Sequence, residues 1–301
     1  MKSAEGKVLH RPLCLGNWKM NKSPQEARAF CQELKSLLEE AQESHSASAR
    51  PSEAGRGAQG AKPLAQMVVL PPALSLWAVA ESLQGTEIAY GGQNCHFEIS
   101  GAFTGENSPK VLQELGAQYC LVGHSERRKL FHETNDLCAQ KLKALIELGL
   151  TPILCVGESL EERQSGQTEA LVLKQLREGL KLAKGDSRLK TPGTQGSSTP
   201  QGQAVPGGGF PLIVAYEPVW AIGTGQVATV EQVGEVHQLL RQELDQLLGP
   251  ELSQNIPLVY GGSVKPENGA ELLAAPAVDG FLIGGASLDA KSFFALAQLG
   301  A

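Results

Sequence analysis

Short apolar runs alternate with helix-like patterns along most of the chain, and this alternation limits the fold more than any other feature. Eight runs have the length and composition of buried strands, and they cover residues 13–16, 67–70, 88–90, 119–122, 153–156, 212–215, 257–260 and 281–283. Between them, apolar residues recur at helical spacing, as at Leu142, Leu145 and Ile146. Strands separated by helices predict an α/β fold with a parallel sheet and external helices. A count of eight favours a closed (β/α)8 barrel, although periodicity alone also allows an open sheet.

Two segments interrupt the alternation. Residues 42–65 are rich in Ala, Ser, Gly and Pro, and residues 185–209 contain seven glycines and three prolines. Neither composition can bury enough apolar surface to order itself, so both are predicted to be flexible insertions in helix-to-strand loops. Without them about 250 residues remain, the size of a typical barrel. Residues 1–301 are therefore predicted to form a single domain.

The overall composition excludes several classes of function. The 301 residues carry a net charge of −6 and no basic block, which argues against a nucleic-acid partner. No apolar run approaches the roughly 20 residues that span a bilayer, and the first residues lack the apolar core of a signal peptide. The six cysteines form no metal-binding or disulfide pattern. We expect a cytoplasmic protein with reduced thiols and without a metal site or a membrane segment.

Residues 216–225 place a carboxylate, Glu217, at the end of the sixth apolar run and follow it with an apolar loop. Pro218 disfavours a helical conformation at Glu217 and stiffens the start of the loop, so no helix is expected there. Gly223 and Gly225 give the far end conformational freedom. An apolar loop with one stiff and one free end suits a lid over a catalytic base. Taken alone, Glu217 fits a carboxylate that caps the next element equally well.

Two other strand ends carry polar residues. Lys19 and Asn17 follow the first run, although a solvated lysine is the simpler interpretation of Lys19 by itself. His124 follows the fourth run and precedes a helix predicted to start at Ser125. The positive end of that helix would lower the imidazole pKa and favour the neutral form. Because barrel active sites form where the strands end, these residues are expected to converge with Glu217.

Paired glycines follow the seventh and eighth runs. Gly261 and Gly262 precede Ser263, and Gly284 and Gly285 follow the last strand. Glycines let main chain approach a ligand closely, and a helix N-terminus behind them attracts anions. Phosphate sites of (β/α)8 barrels recur at these two loops. One such pair is usually only a turn, but two in these places predict a phosphate site.

Five segments together resemble the triosephosphate isomerase family: 16–21, 123–128, 215–225, 260–264 and 280–287. The resemblance covers nearly the whole chain outside the two insertions. It implies a TIM barrel that acts as a cytoplasmic homodimer on triose phosphates, without a metal or organic cofactor.

The resemblance also implies roles for individual residues. Glu217 would remove a proton beside the carbonyl of dihydroxyacetone phosphate, and neutral His124 and Lys19 would stabilise the enediolate. Asn17 would position the substrate oxygen, and Glu126 would hold Lys19. The phosphate would be bound by main-chain N–H groups of Gly223, Ser263, Gly284 and Gly285.

The implied dimer contact is the loop 93–106, in which Thr104 would reach the partner's site. Phe97 and Ile99 are unusually apolar for a free loop, which is in keeping with burial there. The alternative interpretation is a catalytically silent barrel that binds partners through its insertions. Such a protein would be expected to have lost an acid–base group, and none is missing from the sequence.

Overall fold

In the computed structural model, which describes residues 12–48, 64–190, 210–223 and 226–299, eight strands form one closed parallel barrel. Each strand pairs with the next, and the last pairs with the first. The strands are β1 (Leu13–Asn17), β2 (Gln66–Leu70), β3 (Ala89–Gly92), β4 (Tyr119–Val122), β5 (Thr151–Val156), β6 (Ile213–Tyr216), β7 (Leu258–Tyr260) and β8 (Gly280–Ile283). The predicted (β/α)8 barrel is confirmed, and the open sheet is excluded.

Helices connect the strands throughout the described part of the chain. They are α1 (Pro24–Ser48), α2 (Ala73–Ser82), α3 (Pro109–Glu114), α4 (Ser125–Leu130), α5 (Asn135–Glu147), α6 (Leu160–Gln164), α7 (Thr168–Leu180), α8 (Ser187–Lys190), α9 (Val230–Leu248), α10 (Pro250–Ser253), α11 (Pro266–Leu273) and α12 (Ala290–Gln298). Side-chain caps mark many of the starts, since Ser108, Thr134, Ser159, Thr229 and Asp289 each accept an N–H of the first turn.

The strands are buried on both faces, which explains their continuous apolar composition. Leu13 and Leu15 of β1 belong to a cluster inside the barrel, whereas Cys14 between them packs in the layer shared by strands and helices. The period of two therefore sorts each strand into an inner and an outer face. The barrel interior is thereby filled with side chains, and the site can form only at its rim.

Closure of the barrel depends on a glycine. Gly280 has φ of 152°, and a Cβ at this position would lie 2.2 Å from the carbonyl oxygen of Leu13. The first and last strands can approach to hydrogen-bonding distance only because position 280 has no side chain.

The predicted insertions fall mostly on residues 49–63 and 191–209, which lie outside the described residues. Their starts were predicted too early. Helix α1 runs to Ser48, because no glycine or proline occurs in residues 42–48 to end it, and Ser187–Lys190 form α8. Within the described residues, no helix is both long and apolar enough to cross a membrane.

Candidate active site

The polar residues predicted at the strand ends line one cavity of about 520 Å³ at the rim of the barrel. One end, here called the reaction half, is formed by Asn17, Lys19, His124 and Glu217. The other end, the phosphate half, is formed by Gly223, Ser263, Gly284 and Gly285. The barrel thus brings together residues that lie up to 268 positions apart in the sequence, from Asn17 to Gly285.

Lys19 is held in an uncommon backbone conformation. Its φ is 53°, a left-handed value that non-glycine residues rarely adopt. Its N–H donates to Oδ1 of Asn17 at 3.0 Å, and its carbonyl accepts from Nε2 of Gln93 at 2.8 Å. Its ammonium donates to Oε1 of Glu126 at 2.6 Å. Three contacts therefore fix both the backbone and the charge of Lys19 at the cavity wall, as expected where strain is kept at a functional site.

His124 occupies the N-cap position of α4, where the sequence placed it. Its Nδ1 accepts the N–H of Glu126 at 3.2 Å, and its Nε2 lies 2.9 Å from Oε1 of Glu217. Because Nδ1 is an acceptor, the proton of the neutral ring sits on Nε2. His124 therefore offers a donor toward the cavity.

Glu217 follows β6 and is only 2% exposed, yet each of its two carboxylate oxygens lies within hydrogen-bond distance of a donor. Its Oε2 accepts the N–H of Ser125 at 2.9 Å, and its Oε1 faces His124. Burial by itself raises the pKa of Glu217, but His124, the Ser125 N–H and the Cys155 thiol outweigh it and hold the pKa below its usual range. Glu217 is thus kept as a carboxylate, the form that a general base needs.

The predicted lowering of the His124 pKa is wrong for this arrangement. Burial lowers that pKa, but the charge of Glu217 and the hydrogen bond to it raise the pKa by more. The sequence indicated the helix end but could not show a carboxylate in direct contact with the ring.

The phosphate half contains glycines that face open space. A Cβ at Gly285 would meet no atom within 4 Å, and one at Gly284 would meet only Cε of Lys19 at 3.6 Å. The loop at Ser263 is braced by Asn268, whose amide donates to the Ser263 carbonyl at 3.2 Å. A Cβ at either glycine would not clash with the protein. These glycines therefore leave space that a ligand can occupy.

The loop after Glu217 is anchored by a carboxylate that the sequence argument missed. Glu158 is fully buried, and its Oε1 accepts from Tyr216 at 3.1 Å, Trp220 at 3.0 Å and Arg163 at 3.1 Å. Residues Val219–Ala221 form one 3-10 turn, where a loop without helix was expected. Gly225 lies outside the described residues.

A usable signal for the missed residues existed in the sequence. Glu158 and Gln93 follow strands β5 and β3, as Glu217 follows β6, so the same strand-end rule would have selected them. The N–H of Ser125 could not be identified in this way, because every residue except proline has a main-chain N–H and the residue type does not show which one will donate.

Thr104 lies on the exposed loop after β3 and does not line the cavity of its own chain. Among the described residues, no group of three or more His, Cys, Asp or Glu side chains could hold a metal ion.

Comparison with known proteins agrees with this geometry. The family model for triosephosphate isomerase matches residues 12–300. The chain belongs to the triosephosphate isomerase family. A protein of that name from Carboxydothermus hydrogenoformans is 43% identical over 290 residues, covering 96% of this chain and 99% of the relative. The one from Bdellovibrio bacteriovorus is 45% identical over 283 residues, covering 94% and 97%. The one from Lactobacillus gasseri is 37% identical over 288 residues, covering 96% and 98%.

Membership in this family gives the chain its activity, which is triose-phosphate isomerisation, a step of glycolysis. The enzyme is an aldose–ketose isomerase, an intramolecular oxidoreductase. Nothing in the comparisons supports the alternative of a catalytically silent scaffold.

Proposed function

We propose that Glu217 is the general base of the isomerisation. The observation that carries this proposal is a buried carboxylate, held unprotonated, in a cavity that also contains Lys19 and the Nε2 donor of His124. Glu217 would take a proton from the carbon next to the carbonyl of dihydroxyacetone phosphate. It would return that proton to the neighbouring carbon, giving glyceraldehyde 3-phosphate.

The other side chains of the reaction half stabilise the intermediate. Removing an α-carbonyl proton builds negative charge on the carbonyl oxygen, so a base needs an electrophile opposite it. His124 donates from Nε2 to the enediolate oxygens, and Lys19 supplies a positive charge. Asn17 positions the substrate oxygen, and Glu126 holds the Lys19 ammonium in place. In the structure Glu217 accepts from Ser125, so substrate binding must exchange that hydrogen bond for the reacting carbon.

The phosphate half binds the substrate's phosphate through main-chain N–H groups of Gly223, Ser263, Gly284 and Gly285. A dianion held at this end orients the triose so that its carbonyl lies against the reaction half. The loop that begins at Pro218 closes over both and excludes water.

A coupled assay with glyceraldehyde 3-phosphate tests the assignment. Lys19→Met keeps the length of the side chain and removes its charge, and it should lower kcat/KM by at least about 100-fold, the scale of losing one positioned electrostatic group. The exposed Lys110→Met on α3 is the control. Full activity of Lys19→Met would remove Lys19 from the mechanism.

We also propose that the enzyme is a homodimer formed through the loop 93–106. Large apolar side chains are exposed in this loop, next to Lys19 and at the start of α2, where Ile99 is 49%, Met20 94% and Leu74 90% exposed. Patches of this kind mark interaction surfaces. Thr104 would reach the partner's cavity near Asn17 and Lys19.

Light scattering with a size-exclusion column tests the dimer. Thr104→Arg would bury an unpaired charge at the contact and should give a nearly inactive monomer, whereas Ala170→Arg on the exposed face of α7 should leave the mass unchanged. A fully active monomer would refute the shared contact.

We further propose a cytoplasmic location, in which the six free, buried cysteines stay reduced. Fluorescent tagging of the full chain, followed in cell fractions, checks this.

A further inference from the structure

A buried glutamine on α7 makes two hydrogen bonds to one residue beside the catalytic base. Gln175 is 7% exposed. Its Oε1 accepts the N–H of Gly157 at 2.7 Å, and its Nε2 donates to the carbonyl of Gly157 at 3.1 Å. The side chain thus satisfies both main-chain groups of a residue that lies just beyond the end of β5.

Gly157 in turn lies against the backbone of Glu217. A Cβ at Gly157 would stand 1.8 Å from the Glu217 carbonyl oxygen, so the two main chains are in direct contact. The N–H of Glu217 donates to the Val156 carbonyl at 2.7 Å, and the N–H of Val219 donates to the Glu158 carbonyl at 3.0 Å. Residues 156–158 therefore hold the main chain of Glu217 on both sides.

The same three residues also fix the start of the lid. The carboxylate of Glu158 accepts from Tyr216, directly before Glu217, and from Trp220, three residues after it. A displacement of residues 156–158 would move the base and the lid anchor together.

Residues 156 and 157 border an open pocket of about 410 Å³, which is also lined by Gln175, Glu217 and Val219. On the side of this pocket, protein atoms do not cover the segment completely, so directional contacts are what limit its movement there. The two hydrogen bonds of Gln175 are such contacts.

We propose that Gln175 is a positioning residue for isomerisation, which fixes residues 156–158 and through them the placement of Glu217 and the anchor of the lid. This inference rests on the proposed role of Glu217 as the base. Gln175 itself does not line the cavity that binds the substrate. Its loss should therefore act on the chemical step more than on substrate affinity.

The first test is Gln175→Leu, which keeps the approximate volume and removes both hydrogen bonds. Displacing a base by a fraction of an ångström should lower kcat about tenfold, since ~1 Å costs on the order of 100-fold. KM should change less than twofold. The matched control is Leu176→Ala on the same helix, which removes fully buried packing and should lower the melting temperature while kcat stays within twofold.

The second test keeps the proposal falsifiable if the leucine variant does not fold. In Gln175→Glu, the carboxylate can accept from Gly157 but cannot donate to its carbonyl, whereas the protonated acid can do both. The ratio of variant to wild-type kcat should rise as the pH falls. The titratable and charged groups that line the same cavity are Arg128, Lys129, Cys155, Glu162 and Glu217, and they act on the pKa of the introduced carboxyl group. A merely structural glutamine would give a ratio that does not vary with pH.

The outcomes separate the two proposals. If Glu217→Asp leaves kcat unchanged, the assignment of the base is wrong, and Gln175 has nothing to position. If Glu217→Asp lowers kcat but Gln175→Leu stays within twofold and the Gln175→Glu ratio is flat with pH, only the inference about Gln175 is overturned.

Discussion

At one end of the cavity, polar side chains from three strand ends converge and are hydrogen-bonded to neighbouring groups, whereas at the other end the lining includes glycines beside open space. In the reaction half, Glu217 and His124 are 2% and 5% exposed and bonded to each other. In the phosphate half, a Cβ at Gly285 would touch nothing. Proton transfer requires a base placed to within a fraction of an ångström. A dianionic phosphate requires several N–H donors and room, which a glycine turn provides.

Substitutions in the two halves should therefore change different kinetic parameters. A change in the reaction half should lower kcat, and a change in the phosphate half should raise KM. The variants that best distinguish these effects are those that change one half of the cavity and leave the fold intact.

The largest effect is expected for Glu217→Asp. The shorter side chain withdraws the carboxylate by roughly 1 Å, which can cost on the order of 100-fold in rate. Steady-state kinetics should show this loss in kcat with little change in KM. Glu161→Asp, at an exposed position of α6, is the control and should behave as wild type. A loss confined to KM would place Glu217 in substrate binding and not in proton transfer.

Gly285→Ala should produce the complementary defect. Its methyl group meets no protein atom, so the melting temperature should stay unchanged, but it occupies space that the phosphate needs. Loss of one hydrogen bond to a charged group costs about 1.5–3 kcal/mol, which corresponds to a KM roughly 10- to 150-fold higher. Gly262→Ala is the contrasting control, because its Cβ would stand 2.1 Å from the Tyr260 hydroxyl oxygen and should destabilise the fold. An unaltered KM in Gly285→Ala would exclude position 285 from the phosphate site.

Much of this division could be predicted from the sequence, because the candidate residues Lys19, His124 and Glu217 lie two or three positions after the end of an apolar run. Lys19, His124 and Glu217 were identified by that rule, and closure of the barrel brought them together. The contacts between them could not be predicted. The Ser125 N–H that meets Glu217 is a main-chain group, and the distance between Glu217 and His124 depends on strand register. The same contact reversed the expected direction of the His124 pKa shift.

That reversal gives a third prediction. Glu217→Gln removes the charge that raises the His124 pKa and leaves the burial that lowers it, so nitrogen NMR of the ring should show a lower pKa in the variant than in the wild type. An unchanged or higher value would mean that Glu217 does not control the charge of His124.

The pair should also affect stability in a defined pH window. The lowered pKa of Glu217 adds stability above the ordinary carboxyl pKa, and this is lost as the pH falls through the lowered value. The raised pKa of His124 adds stability below the ordinary imidazole pKa, and this is lost as the pH rises through the raised value. Denaturant unfolding should therefore show the largest advantage of wild type over Glu217→Gln between about pH 5 and 6, from ordinary values of ~4.3 and ~6.5.

The smallest effect on activity is expected for shortening the two predicted insertions. In the sequence, residues 49–63 connect α1 to β2, and residues 191–209 connect α8 to β6. Replacing either segment by a short turn should leave kcat/KM within about twofold, because both segments lead into the starts of strands, whereas the candidate site residues follow strand ends, and the length of a connection has only a small effect on stability. The two deletions serve as controls for each other. A soluble deletion variant that is inactive or has a changed mass would show that the segment contributes to the enzyme.

The Gly280 contact has a consequence for the order in which this protein can be made. β1 finds one of its two neighbours only in β8, at the opposite end of the polypeptide. At ~5–20 residues per second, a ribosome delivers residue 280 roughly 13 to 55 s after residue 13. During that interval one side of β1 has no partner strand and can template pairing with another chain. We therefore expect nascent chains that stop before β8 to aggregate. Once β8 has been synthesised, it can pair with β1, and the exposed strand edge is removed.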